Sequence, residues 1–108
     1  MRGEAIKGHL DLLLLAVLSD EPLHGYAVIE RLRARSQDVF VLPEGTVYPA
    51  LHRLERQHLI KSRWESGENA RKRRLYSLTT MGRRHLRKRR TEWDGFVGAV
   101  QAVVGDPS

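Results

Sequence analysis

The chain has 108 residues, of which 41% are hydrophobic and 30% are charged, and it contains no cysteine. This length suits a single domain, and the apolar content is that of a folded chain rather than a disordered one. The absence of cysteine excludes disulfides, thiolate metal ligands and cysteine nucleophiles. The net charge is +6, and residues 61–90 hold twelve basic side chains against two acidic ones. Such a basic segment indicates a polyanionic partner, most often nucleic acid, unless it is only a solvated surface.

The chain shows no targeting signal. Its longest apolar run, residues 12–18, is far shorter than the roughly 20 residues that a membrane-spanning helix needs. Arg2 and Lys7 precede this run as in a signal peptide, but Glu4, Asp11 and the lack of a small-residue cleavage site do not fit one. We therefore expect a cytoplasmic protein without membrane contact.

The sequence predicts two helices joined by a short connection at the start of the chain. Residues 8–19 are apolar almost all round, and such a helix needs burial on two sides, which a small domain rarely provides alone. A second helix is predicted at about residues 24–36, with Tyr26, Ile29 and Leu32 at helical spacing. This pair is typical of the opening of a helix-turn-helix unit.

A third helix is predicted after the turn at Pro43 and Gly45, reaching about His58. Pro49 is tolerated only near a helix start, so either Thr46 caps this helix or the helix begins earlier and Gly45 lies opposite the proline ring. Its inner face holds Val47, Ala50, Leu51, Leu54 and His58. Its outer face holds Gly45, Pro49, His52 and Arg56, flanked by Tyr48 and Arg53. We expect His58 to be a core residue.

Beyond Leu59 the hydrophobic period changes to two, which predicts two strands. Their alternating residues are Ile60, Ser62, Trp64, Tyr76 and Leu78. Between them, residues 66–70 contain the Gly and Asn that a hairpin loop requires. A basic hairpin directly after a third helix is the wing of a winged helix-turn-helix domain, with Trp64 expected in the core at its base.

Thr79 or Thr80 is expected to cap a final helix that ends at about Val104, roughly 39 Å away. Apolar residues recur along its second half at spacings of three, four and seven, as in a coiled coil. A compact winged domain cannot cover a helix of this length, so we expect a second copy of the chain to cover it, against the Leu-rich first helix. The predicted dimer interface consists of Leu10, Leu14, Val17, Leu86, Trp93, Phe96, Val97, Val100 and Val104.

The predicted fold is mainly α with a small β-hairpin. It comprises a winged helix-turn-helix DNA-binding domain at residues 1–79, and a long C-terminal dimerisation helix and tail at residues 80–108. In such a domain the third helix enters the major groove, and the wing contacts phosphates or the adjacent minor groove. The predicted DNA-binding residues are Thr46, Tyr48, Pro49, His52, Arg53 and Arg56 on the helix, and Lys61, Arg63, Arg71, Lys72, Arg73 and Arg74 on the wing.

Catalysis has little support in the sequence. The five histidines show no metal-binding spacing, and no phosphate loop or nucleophile elbow is present. We predict no catalytic residue, metal or cofactor. Trp93, in the middle of the apolar stripe, either packs at the dimer contact or lines a pocket for a planar aromatic effector together with Leu14 and Phe96.

Three segments of the chain resemble the PadR family of bacterial transcriptional regulators, in its short subclass with one C-terminal helix. They are LAVLSDEPLHGYAVIERL (15–32), PEGTVYPALHRLERQHLI (43–60) and RKRRLYSLTTMGRRHL (71–86), and the resemblance extends over about residues 10–100. The middle segment is the most specific, because it fits the family's recognition helix position by position. The wing departs from the family pattern at Ala70, Lys72, Leu75 and Ser77, where Gly, Pro, Tyr and Arg are usual.

The resemblance implies a homodimeric winged-helix repressor that binds a palindromic operator, and an effector that loosens DNA binding. Trp93 matches a position where some multidrug-responsive members carry a tryptophan that sandwiches planar ligands. Two other classes remain open from the residues alone. One is a basic protein that binds DNA or RNA without sequence specificity, although few aromatic residues are available for base stacking. The other is an interaction module whose long helix docks onto another protein.

Overall fold

The computed structural model describes residues 8–67 and 72–105. In order along the chain, the elements are α1 (Leu10–Leu18), β1 (Leu23–His24), α2 (Gly25–Arg35), α3 (Glu44–Arg56), β2 (Ile60–Ser66), β3 (Lys72–Leu78) and α4 (Thr80–Val104). The three strands form one antiparallel sheet in the order β1-β3-β2. The fold is therefore mainly helical with a small sheet, and the predicted order of helices and hairpin is confirmed.

Helix α1 lies at the centre of the hydrophobic core, where it packs against α2, α3, α4 and β3. Its buried residues are Leu10, Leu12, Leu14, Leu15, Val17 and Leu18. This burial corrects the expectation that a second chain is needed to cover the helix, because all four surrounding elements belong to the same chain. Leu10, Leu14 and Val17, predicted at the dimer interface, are core residues with almost no surface left for a partner.

Helices α2 and α3 pack together as the helix-turn-helix pair. Helix α3 begins at Glu44, so Pro49 lies inside it, and Gly45 occupies the position four residues before the proline, as the earlier of the two predicted starts requires. The helix ends at Arg56, and His58 follows in an exposed turn with a φ of 61°. The prediction that His58 is a core residue was therefore wrong. Tyr26, which lies at helical spacing with the buried Ile29 and Leu32, is exposed.

The wing is the antiparallel hairpin of β2 and β3, in which Ile60 pairs with Leu78 and Trp64 pairs with Arg74. Tyr76 and Leu78 are buried at its base, but Trp64 is 62% exposed. The expected core position of Trp64 is therefore wrong, because the hairpin has left the core before it reaches this residue. Most of the predicted loop at 66–70 lies outside the described residues. The sequence also gave no sign of β1, a two-residue strand that pairs with β3.

Helix α4 starts inside the core and then extends beyond it. The Thr79 side chain accepts a hydrogen bond from the Gly82 amide at 2.9 Å, which confirms Thr79 as the cap. Leu86, one turn further, is buried in the same chain rather than at the predicted dimer contact. From Trp93 onward the apolar side chains of the helix are largely exposed. The exposed set is Trp93, Phe96, Val100, Val103 and Val104.

Candidate nucleic-acid interface

The outer face of α3 carries exposed polar and small residues at helical spacing. At about 100° per residue, residues 45, 49, 52 and 56 lie on one side, and Val47, Ala50, Leu51 and Leu54 lie opposite them in the core. The exposed residues are Gly45, Pro49, His52 and Arg56. His52 and Arg56 are one turn apart and provide ring and guanidinium hydrogen-bond donors, while Pro49 provides apolar surface. The outer face therefore has the chemistry that contacts with base edges require.

One flank of α3 faces α1. There the Arg53 guanidinium forms an ion pair with the Asp11 carboxylate, and Asp11 lies in the first turn of α1. The sequence placed Arg53 among the DNA-contacting residues, but this ion pair directs its charged end towards α1. Helical spacing gave the correct side of the helix for Arg53, but it could not show that a carboxylate from a residue 42 positions away lies beside it.

The other flank of α3 faces α2 and the wing. The Tyr48 ring lies over Gly25 at the start of α2, so closely that a Cβ at Gly25 would lie 2.4 Å from the ring. Burial, and to a lesser extent the Glu44 carboxylate, raises the pKa of Tyr48 above its usual value. On the same flank, Glu55 accepts a hydrogen bond from Ser62 of β2 and pairs with Arg74 of β3 at 3.6 Å.

The cations of the wing fall into two groups. Arg74 is held by Glu55 and lies 5.2 Å above the centre of the Trp64 ring, and Arg63 pairs with Glu65 at 3.2 Å. Among the described residues of α3 and the wing, four cations are exposed and have no ion-pair partner. They are Arg56 on α3, Lys61 on β2, and Lys72 and Arg73 on β3. The predicted contact Arg71 lies outside the described residues. The unpaired cations are the ones most available to phosphate oxygens.

A groove of about 830 Å³ separates α2 and α3 from the wing. Aromatic side chains line it from four elements, α2, α3, β2 and β3, and the basic residues of β3 close one side. The aromatic and basic lining residues are Tyr26, Tyr48, His52, Trp64, Tyr76, Lys72, Arg73 and Arg74. Sequence reasoning missed the exposed positions of Tyr26 and Trp64. For Trp64, the strand itself carried a signal, since Arg63, Glu65 and Ser66 around it are all polar or charged.

A second, smaller cavity of about 180 Å³ lies where α1 begins and passes α4. The His9 ring stands edge-on to the Trp93 ring with 4.9 Å between centroids, and the Phe96 ring is 5.8 Å from Trp93. The apolar wall on the α1 side is Leu12. Leu14, predicted in this pocket, is 0% exposed and belongs to the core, because residues two positions apart on a helix face nearly opposite directions. Leu12 therefore replaces Leu14 beside Trp93 and Phe96.

Among the described residues, no group of three or more His, Asp or Glu side chains is arranged to hold a metal ion. No helix in the described part of the chain combines the length and the apolar character needed to span a bilayer.

A helix-turn-helix pair, a basic antiparallel wing and an exposed polar face on the third helix together define a winged helix-turn-helix protein of the DNA-binding class. The comparison with known families is more specific. The chain belongs to the PadR-like family of transcriptional regulators, whose family model matches residues 14–88. The resemblance seen in the sequence is thereby confirmed.

Individual relatives agree with this assignment. The transcriptional regulator YqjI of Escherichia coli is 32% identical over 95 residues, which cover 88% of this chain and 44% of that protein. The structure of a transcriptional regulator from Clostridium thermocellum is similar with a TM-score of 0.85 at 27% identity, over 94% of this chain and 99% of that one. The crystal structure of a PadR family transcription regulator from Clostridium difficile is similar with a TM-score of 0.78 and 30% sequence identity. The match covers 91% of this chain and 100% of that chain.

Proposed function

We propose that this protein binds an inverted-repeat operator in double-stranded DNA as a homodimer and represses transcription there. The observation that carries the proposal is the exposed outer face of α3 beside wing cations that have no ion-pair partner among the described residues. The helix would contact base edges in the major groove, and the wing would neutralise phosphates. A regulator of this kind acts on the chromosome, so the proposal includes a cytoplasmic location.

The two segments of the chain have different proposed roles. Residues 1–79 supply the DNA contacts and residues 80–108 supply the dimer contact. On α3 the proposed contacts are Pro49, His52 and Arg56, with Thr46 and Tyr48 at the edges of the face. On the wing they are Lys61, Arg63, Arg71, Lys72 and Arg73. Arg53 and Arg74 are left out of this set because their ion pairs with Asp11 and Glu55 hold their guanidinium groups against α1 and α3.

The exposed stripe of α4 supports the dimer. Phe96, Val100 and Val104 lie along one side of the helix, and all three are exposed in the single chain. Contiguous exposed apolar surface of this kind marks an interaction site. A symmetric pair of chains would bury both stripes and set two copies of α3 side by side. Half-sites in such complexes lie about 34 Å apart, one turn of the DNA helix.

Selection of binding sites from a pool of random duplexes tests the proposal. We expect an enriched inverted repeat whose half-sites are about one helical turn apart. Enrichment of no motif would favour the alternative of a basic protein that binds DNA or RNA without sequence specificity. Recovery of a single asymmetric half-site would contradict binding as a symmetric dimer.

We expect Arg73→Gln to weaken binding to every duplex by a similar factor, because an exposed wing cation contacts phosphates and not bases. The slope of log affinity against log salt concentration should fall in magnitude by about 0.9 if one phosphate contact is lost. Fluorescence anisotropy titrations over a range of salt concentrations measure both quantities. His52→Ala is the contrasting variant, and it should lower affinity for the selected repeat far more than for an unrelated duplex.

The proposed effector site is the cavity beside Trp93, formed with Phe96 and Leu12. A planar aromatic ligand stacked on the indole ring is expected to quench the fluorescence of Trp93. The chain contains two tryptophans, so the titration should use a Trp64→Phe background in which Trp93 is the sole emitter. Ethidium is a suitable planar cationic probe for this titration, which is carried out without DNA because ethidium itself intercalates into duplex DNA. The control is Trp93→Ala in the chain that keeps Trp64. If the ligand quenches the fluorescence of Trp64 in this variant to the same extent, the ligand binds elsewhere.

A further inference from the structure

Helix α3 is held on its two flanks by charged side chains that point away from its outer face. Arg53 pairs with Asp11 of α1, and Glu55 binds Ser62 and Arg74 of the wing. Residues 53 and 55 are two positions apart, so their side chains leave the helix in nearly opposite directions. One ion pair therefore ties the helix to the core helix α1, and the other ties it to the wing.

We propose that Arg53 and Glu55 are positioning residues that fix the rotation of α3 about its own axis. Asp11 lies on α1 and not on the outer face of α3, but through its ion pair with Arg53 it then influences which DNA sequence the outer face binds. This inference rests on the proposed function, since it concerns how the same helix is presented to DNA. It assigns to Arg53 a role different from the base contact that the sequence predicted.

The geometry of base contacts makes the rotation of α3 important. A turn of about 10° moves an outer-face atom that lies roughly 6 Å from the helix axis by about 1 Å. A hydrogen bond to a base edge does not tolerate such a displacement, because binding groups must be held within about 0.5 Å of the productive geometry. The inner face of α3 consists of Val47, Ala50, Leu51 and Leu54. Apolar packing of this kind is non-directional, whereas an ion pair on each flank opposes rotation in both senses.

The two flanking ion pairs are also better shielded than an ordinary surface pair. The side chains of Asp11 and Arg53 are 26% and 43% exposed and those of Glu55 and Arg74 are 27% and 37% exposed, whereas both partners of the Asp20–Arg35 pair are 52% exposed. Salt screens partly buried charges less than exposed ones, and fully exposed pairs add little to stability. The pair of Asp20 with Arg35 is therefore a matched control, since it joins the same residue types at the surface.

Charge reversal tests the proposal. The measured quantity is the ratio of the dissociation constant for an unrelated duplex to that for the selected inverted repeat. We expect Asp11→Lys and Arg53→Glu each to lower this ratio by about tenfold, a typical coupling for residues in contact. The double variant restores the ion pair with its charges exchanged, and its ratio should return to within about threefold of the native value. A carboxylate at position 53 repels both duplexes, and the ratio removes that common effect.

Milder variants and a control pair strengthen the experiment. The milder changes Asp11→Asn and Arg53→Gln should lower the ratio without lowering the thermal unfolding midpoint by more than a few degrees. Glu55→Gln should also lower the ratio, although removal of a negative charge would by itself favour every duplex alike. In the control pair, Asp20→Lys and Arg35→Glu should each leave the ratio unchanged, and so should the double variant.

A different pattern would overturn the proposal. If Arg53→Glu lowers the ratio, Asp11→Lys does not, and the double variant is no better than Arg53→Glu alone, then Arg53 contacts DNA itself. If the ratio of every variant equals the native ratio, neither flank positions the helix. Failure of the proposed function is a separate result, because the native protein would then bind both duplexes equally.

Discussion

Val100→Asp is expected to convert the dimer into monomers and to weaken binding to the inverted repeat by at least about 100-fold, which corresponds to about 2.7 kcal/mol. Val100 lies on the exposed apolar stripe of α4 between Phe96 and Val104. A carboxylate there would lose its hydration without gaining a partner, and a two-fold interface contains the substitution twice. Sedimentation velocity at micromolar concentration measures the oligomeric state, and anisotropy measures the affinity for DNA.

Ala102→Asp is the matched control for this substitution. Ala102 is exposed on the same helix, two positions further on, and therefore faces nearly the opposite direction. Ala102→Asp introduces the same charge into the same helix, but away from the apolar stripe. The dimer and its affinity for DNA should therefore be retained. A native protein that sediments as a monomer would contradict the proposed assembly, as would equal dissociation by the two variants.

Gly82→Ala is expected to destabilise the native state by about 3 kcal/mol or more. A Cβ at this position would lie 1.9 Å from the carbonyl oxygen of Leu59. That oxygen cannot easily retreat, because it accepts hydrogen bonds from the Thr79 amide at 3.2 Å and from the Thr79 hydroxyl at 3.1 Å. Single domains are stable by only about 5 to 15 kcal/mol, so a large part of the total would be lost. Denaturant unfolding followed by circular dichroism measures the change.

Gly95→Ala provides the comparison within the same helix. A Cβ at Gly95 would meet nothing within 4 Å, and alanine is favoured over glycine in a helix interior by up to about 1 kcal/mol. This variant is therefore expected to be slightly more stable than the native protein. Similar stability of the two variants would show that the close approach of α4 to Leu59 does not limit the fold.

Local features of the sequence were sufficient to predict most of the secondary structure. The caps, turns and hydrophobic periods that mark α3, the hairpin and α4 involve residues within a few positions of one another. The outer face of α3 was predicted correctly for this reason, and Thr79 is one of the two neighbouring threonines that the sequence offered as the cap of α4. The short strand β1 was missed, because two residues carry no period and its pairing with β3 joins segments about fifty positions apart.

Periodicity assigns a residue to one side of an element, but it does not identify what lies on that side. The apolar surface of α1 was correctly recognised, yet only the folded chain provides α2, α3, α4 and β3 around it, which removes the need for a partner there. The same limitation explains Trp64, whose strand leaves the core before reaching it, and the exchange of Leu14 for Leu12 beside Trp93.

By itself, the sequence determined the winged helix-turn-helix order, the family, the basic wing and the outer face of α3, because each depends on spacing along the chain. The tertiary structure alone decided that α1 is internal, that Gly82 touches a backbone oxygen, and that Arg53 and Glu55 tie α3 to opposite neighbours. The physical reason is that an ion pair or a close contact depends on where two distant segments meet. Those meeting points arise from packing of the whole core, which no local pattern specifies.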